Sequence, residues 1–207
     1  TTEDLAILRS LPNISVVAPC SANEAGEAIT AMIKNGGTGY LRLDKTGAKD
    51  CFSEDPFVIG KSRRYKEGKD ITLIATGSIL GDANIASVEL KKLGIDARVV
   101  GMHSIKPIDV DEIIDAATNT GGIVTIEEHN KDGGLGSAIS EVCMDFGVMP
   151  NKFLRIGLDN KYSSIVGSQP YLRSKYEMDS KAIINKIKKI FNSWKGLLFK
   201  RWFSWSG

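Results

Sequence analysis

From residue 71 onward, short apolar runs alternate with stretches of helical spacing, and this constrains the fold more than any other feature of the sequence. Residues 71–75, 97–100, 123–126 and 153–156 are each apolar on both faces and are followed by Gly, Ser, His or Asn. Between them, residues 82–93, 109–117 and 137–146 carry helical patterns. A strand that is apolar on both sides has to be covered on both sides, as in parallel βαβ units. Gly94, Gly121-Gly122 and Gly147 fall where the helices should end. The expectation is an α/β fold: a three-layer α/β/α carboxyl-terminal domain on a mostly parallel sheet.

The first third of the chain repeats the alternation on a smaller scale. Residues 14–18 form a strand pattern closed by Pro19, and Ser21 with Glu24 spells a capping box ahead of a helix running to about Lys34. That helix should stop at Gly36-Gly37, with a second strand at 39–43. Residues 44–70 are rich in charge and Gly, interrupted by Pro56, and read as a surface linker at a domain boundary. The division expected is 1–65 for a partial front domain plus linker, 66–191 for the main domain, and 192–207 for a tail. The last helical stretch, 179–191, sets Ile183, Ile184, Ile187, Ile190 and Phe191 on one face for docking onto the sheet.

Charge narrows the function. Residues 181–207 hold 7 Lys/Arg and no acid, which leaves the body of the chain at a net −5. An acidic body with a basic end lacks the basic folded face of a nucleic-acid-binding domain, so no nucleic-acid partner is expected. No apolar run approaches the ~18 residues of a membrane span. The tail gathers Trp194, Trp202, Trp205, Phe199 and Phe203 among Lys195, Lys200 and Arg201, a mixture that suits membrane-surface or partner contact and equally an incidental terminus. Cys20, Cys51 and Cys143 are too few and too scattered for a disulfide framework, which favours a reducing, cytoplasmic setting. The polar start without Met is no signal peptide, and the chain is expected to begin partway through a longer one.

Catalytic signatures are sparse. Gly77-Ser78-Ile79-Leu80-Gly81 lacks the G-x-S-x-G spacing of a nucleophile elbow, so Ser78 is expected near a helix cap. Glu127-Glu128-His129 would point to alternating faces of a strand, an awkward metal set, and reads as a polar strand end. Asp132-Gly133-Gly134-Leu135-Gly136-Ser137 follows a strand and opens a helix; Gly133, Gly134, Gly136 and Ser137 fit an anion-binding turn or, equally, close backbone packing. Arg42 closes the second strand, where α/β sheets face their ligands and a guanidinium can fork a phosphate; taken by itself, a surface ion pair is the default reading.

Together these segments resemble the transketolase family. Thr2-Glu3-Asp4-Leu5-Ala6-Ile7-Leu8-Arg9-Ser10-Leu11-Pro12-Asn13, then Val16-Val17-Ala18-Pro19, resembles its pyrimidine-binding domain from the middle onward. Gly77-Ser78, Gly101-Met102-His103-Ser104-Ile105-Lys106-Pro107-Ile108-Asp109, Glu127-Glu128-His129 and Gly133-Gly134-Leu135-Gly136-Ser137 resemble its C-terminal domain. The resemblance implies two-carbon ketol transfer between sugar phosphates, with thiamine diphosphate and Mg2+ held at a homodimer interface and carrying the chemistry. It also implies that the cofactor's main ligands precede Thr1 or lie in a missing amino-terminal half or subunit. No Asn-Asn pair is present, and Gly81-Asp82-Ala83 is the nearest approach to the family's Gly-Asp-Gly. Arg42 is similar to the arginine that clamps the sugar phosphate, while His103 and His129 take structural roles. On this reading the chain alone is inactive. A non-catalytic dimerisation or anion-binding module, or part of a relative such as deoxyxylulose-phosphate synthase, is the alternative.

Overall fold

The computed structural model describes residues 2–45, 51, 53–160 and 162–203, with side chains as far as residue 191. The chain opens with helix α1 (Asp4–Ser10), which leads into strand β1 (Ile14–Val17). Helix α2 (Ala22–Asn35) follows, then β2 (Thr38–Leu41), which pairs parallel to β1. Only half of the expected capping box forms. Ser21 Oγ accepts from the Glu24 N–H at 3.2 Å, but the Glu24 carboxylate turns to the Cys20 N–H at 2.7 Å. Glu24 is drawn inward because it also accepts from Arg63 and Tyr65.

The stretch expected to be linker contains β3 (Arg63–Lys66), an edge strand antiparallel to β5. Strand β4 (Ile71–Thr76) runs through a 3-10 turn (Gly77–Ile79) into α3 (Leu80–Lys92), and β5 (Ala97–Gly101) lies parallel beside β4. Three residues form β6 (Ser104–Lys106), antiparallel to β1, before α4 (Val110–Asn119). The remaining elements are β7 (Ile123–Asn130), α5 (Leu135–Asp145), β8 (Phe153–Leu158), α6 (Gln169–Lys175) and α7 (Ser180–Phe203). The tail expected at 192–207 lies outside the described side chains.

The main sheet has the order β3-β5-β4-β7-β8 and is parallel apart from its β3 edge; a smaller sheet runs β2-β1-β6. Alternate side chains of β4 feed two apolar clusters. Leu73 packs with residues of α3 and α7, and Ile74 with residues of α4 and α5, so helices cover both faces as the doubly apolar strands require. The second cluster continues through Leu5, Val16, Ala18 and Ile105, which makes the front sheet and the main domain share one core. Strand β6, contributed by the main domain, completes the front sheet, so the expected boundary near residue 65 is bridged by strand pairing as well as packing.

Candidate functional site

The connection leaving β4 goes to β5 and the one leaving β7 goes to β8, on opposite sides of the β4–β7 pair. The two connections therefore diverge, leaving a crevice at the switch point, the usual ligand position of an open α/β sheet. Gly77-Ser78 follows β4 at this point, and Glu127-Glu128-His129 lies near the end of β7, with Glu128 facing the opening while Glu127 and His129 are fully buried. The end of β2 delivers Arg42 and Asp44 to the same place from the smaller sheet.

Arg42 is held on three sides. Its Nε lies 3.2 Å from Asp4, Nη1 lies 3.4 Å from Asp44, and Nη2 donates to the Glu128 carbonyl at 3.0 Å. Tyr40 donates its hydroxyl to the same Asp4 carboxylate at 2.7 Å. Asp44 in turn accepts the Ser78 N–H and the Ser78 hydroxyl, both at 2.7 Å. Gly77 leaves room for this contact. It adopts φ 71°, open to a residue without Cβ, and a Cβ there would lie 2.7 Å from Asp44 Oδ2. Ser78, expected near a helix cap, lies in the 3-10 turn just before α3, where no side chain caps the helix; its hydroxyl and amide both serve Asp44.

Helix α6 closes the crevice with polar contacts. Arg173 bonds Asp82 at 2.9 Å, Glu128 at 2.7 Å and Ser78 at 2.7 Å, and Gln169 reaches Glu128 at 2.8 Å. Beside this network a cavity of about 170 Å3 is floored by Leu158 and Met178, with Arg42, Asp44, Glu128 and Gln169 on its walls. Asp44, Gln169 and Arg173 escaped sequence reasoning. Asp44 stands two positions after Arg42, which is the only local sign of it; α6 buries no residue and so carries no apolar periodicity.

The close-packing alternative has the structural support at the glycine turn 133–136. Its helix start binds an anion, but the anion belongs to the chain: the Glu127 carboxylate accepts the Leu135 N–H at 2.7 Å and the Gly136 N–H at 2.9 Å. Gly133 N–H donates to Ser137, whose hydroxyl donates to the Lys131 carbonyl. The Gly133, Leu135 and Gly136 amides are thus engaged within the chain. The glycines serve close approach instead, since a Cβ at Gly134 would fall 2.0 Å from Glu127 Oε2 and one at Gly136 would fall 2.7 Å from Arg155 Cδ. Burial pushes the Glu127 carboxyl up to about 7, against the pull of the two amides.

Both histidines are fully buried. His129 Nδ1 lies 2.7 Å from the Asn130 carbonyl, with Asp4 3.8 Å from Nε2; burial lowers its pKa. His103 stacks on Phe57 at 4.0 Å between ring centres and contacts the Val58 carbonyl at 3.2 Å, and burial lowers its pKa as well. Each ties the start of the chain or the segment near residue 57 to the main domain.

The molecule is thus a three-layer α/β domain joined to a smaller α/β sheet, with a crevice at their meeting point lined by paired charges. Residues 60–183 match the family model described as transketolase, C-terminal domain. The chain is 34% identical over 182 residues to one of the subunits of an apulose-4-phosphate transketolase of Phocaeicola vulgatus, covering 87% of this chain and 57% of the relative. It is 35% identical over 188 residues to a putative transketolase C-terminal section of Methanocaldococcus jannaschii, covering 89% and 58%. A solved structure titled split gene transketolase, inactive beta4 tetramer, superposes with a TM-score of 0.79 at 34% identity, covering 91% of this chain and 61% of that one. The chain belongs to the transketolase family and carries its C-terminal domain. It spans somewhat over half the length of these relatives.

Proposed function

We propose that this chain is the carboxyl-terminal portion of a transketolase-like enzyme that transfers a two-carbon ketol unit between sugar phosphates, and that it works only with an amino-terminal portion. The observation that carries the reading is the match over 87% of the chain to a single subunit of a transketolase, of which it spans 57%. Arg42, at the carboxyl end of β2 and on the wall of the cavity, is assigned to the substrate phosphate. A cytoplasmic, dimeric enzyme of pentose phosphate metabolism is the setting this reading implies.

Such an enzyme uses thiamine diphosphate with Mg2+, and the described residues show no complete site for that group. Among them no cluster of three or more His, Cys, Asp or Glu could hold a metal, and the α5 helix start that suits a diphosphate is filled by Glu127. Following the family resemblance, the cofactor's grip is assigned to the amino-terminal portion, while this chain supports substrate orientation and the assembly. No helix among the described residues is long and apolar enough to cross a membrane.

The test is reconstitution. This chain, combined with an amino-terminal transketolase portion, thiamine diphosphate and Mg2+, should transfer the ketol unit from a phosphorylated ketose to an aldose phosphate, and either portion alone should not. Absence of transfer with every phosphorylated ketose tried would overturn the proposal. Relatives named 1-deoxy-D-xylulose-5-phosphate synthase, such as that of Geobacter metallireducens at 33% identity, support a second reading; condensation in place of ketol transfer would favour it.

A further inference from the structure

Arg42 and Ser78 belong to different sheets, and Asp44 spans the gap between them. One Asp44 oxygen faces Arg42 Nη1 at 3.4 Å, and the other accepts both the amide and the hydroxyl of Ser78 at 2.7 Å. Ser78 is itself fixed, buried at the end of β4, with its Oγ accepting from Arg173 at 2.7 Å and from Gln169 at 3.3 Å. Asp44 is therefore held by the rigid centre of the main sheet, and Gly77 lacks the Cβ that would push it away.

We propose that Asp44, anchored on Ser78, is a positioning residue that aims the Arg42 guanidinium at the phosphate of the sugar-phosphate substrate. The proposal rests on the assignment of Arg42 made above and gives the C-terminal domain a part in substrate recognition. A guanidinium recognises phosphate through a planar fork, so its orientation matters as much as its charge. A long arginine side chain left free would lose rotamer freedom on binding. Here Asp4, Asp44 and the Glu128 carbonyl each hold a different nitrogen of that fork before substrate arrives. Of the three, Asp44 connects Arg42 to the end of β4, the strand at the centre of the main sheet.

Positioning and simple charge predict opposite signs. Asp44 is an anion beside a phosphate-binding cation, so if only charge mattered, Asp44→Asn would improve phosphate binding. If positioning matters, it would weaken it. The experiment uses the reconstituted two-part enzyme with a saturating, unphosphorylated aldehyde acceptor, and reads KM and kcat for a phosphorylated ketose and for the same ketose without its phosphate. Asp44→Asn and the charge-neutral Ser78→Ala are each expected to raise KM for the phosphorylated donor roughly tenfold, equivalent to about 1.4 kcal/mol. KM for the unphosphorylated donor and both kcat values should stay within about twofold. Arg42→Ala is the control and should raise the phosphorylated KM further while sparing the other. A fall in KM with Asp44→Asn overturns the proposal, as does a loss of thermal stability with the two KM values in their original ratio, which would make Asp44 a structural cross-link only. If Arg42→Ala shifts both donors alike, the assignment of Arg42 fails and the proposal with it; if Arg42→Ala separates them and the Asp44 and Ser78 variants do not, the proposal alone fails.

Discussion

The two regions of this chain are stabilised by different means. In the main domain every residue of β4 and β5 is buried, and two apolar clusters fill the space between the sheet and its helices. In the front region β2 is an edge strand of burial pattern exposed to half-buried, and α2 buries only Glu24 and Ala28. What the front lacks in apolar burial it replaces with charge. Glu24 and Arg63 form a pair 3.1 Å apart, each with a side chain only 2% exposed. Asp4 meets Arg42 and His129, Arg9 reaches the Gly133 carbonyl at 2.7 Å, and Lys106 caps α1 at the Arg9 carbonyl at 2.8 Å. Apolar burial is non-directional and scales with the area removed from water, whereas buried charge is stable only while its partners are in place. The front region is therefore more sensitive to single polar changes than to loss of surface apolar groups.

The largest effect expected from this difference is at Arg63. Arg63→Met leaves Glu24 buried without its cation, although Tyr65 at 2.6 Å and the Cys20 N–H at 2.7 Å still donate to it. Breaking a buried pair from one side costs about 3–5 kcal/mol. The loss should be regional: hydrogen exchange should quicken first in β1 and α2, with β4 following only at higher denaturant. Leu73→Ala, in the fully buried centre of β4, should cost a comparable ~2–5 kcal/mol and quicken exchange throughout. Equal exchange profiles for the two variants would show that the shared core of Leu5, Val16, Ile74 and Ile105 makes both regions one cooperative unit, and the contrast would then be one of composition only.

That contrast also governs what the sequence discloses. Strands β4, β5, β7 and β8 are legible because burial on both faces demands apolar runs that nothing else in the chain explains. Strand β3 is hidden because its sequence is Arg63-Arg64-Tyr65-Lys66, and its partners are distant: Arg63 pairs with Glu24, and Arg64 with Glu112 at 2.7 Å and Asp115 at 2.6 Å. An edge strand stabilised by ion pairs leaves no hydrophobic period to detect. At the candidate site, the position of Arg42 was legible from the end of a strand, but its surroundings were not, since Glu128 and Arg173 come from 86 and 131 residues further along the chain. The glycine turn at 133–137 was recognisable as a strand-to-helix turn that could either receive an anion or serve close packing. Its occupant was not, because Glu127 lies in the preceding strand and nothing local shows that it folds back onto the helix start.

Glu127 gives the next effect in size. Its carboxyl, ordinarily near 4.5, is pushed up to about 7 by burial, so the folded chain holds a proton that the unfolded chain releases between those values. The folded state then binds more protons than the unfolded one in that window. Stability from this group is complete below about 4.5 and is lost as pH rises toward about 7. Glu127→Gln cannot ionise and escapes that loss. Denaturant unfolding of the two proteins should show wild type ahead by a margin that narrows on the order of 2 kcal/mol between about pH 5 and about pH 8. A margin independent of pH would mean that the Leu135 and Gly136 amides fully compensate burial and that this buried acid behaves like an exposed one.

The smallest effect is expected on the exposed face of α2, where Ile33 is 76% exposed and Ile29 is 46% exposed. Comparable side chains in β4 are fully buried, so the same substitution separates the two regions most sharply at its weak end. Ile33→Ala removes little area that folding had taken from water, and alanine is the better helix former by a few tenths of a kcal/mol. The net change should lie within about 0.5 kcal/mol of zero, as for surface positions generally. Measured on dilute chain by denaturant unfolding, a loss above about 1 kcal/mol would mean that this face is packed in solution. The deficit of apolar burial in the front region would then be made good by association, and the loss should shrink as protein concentration falls.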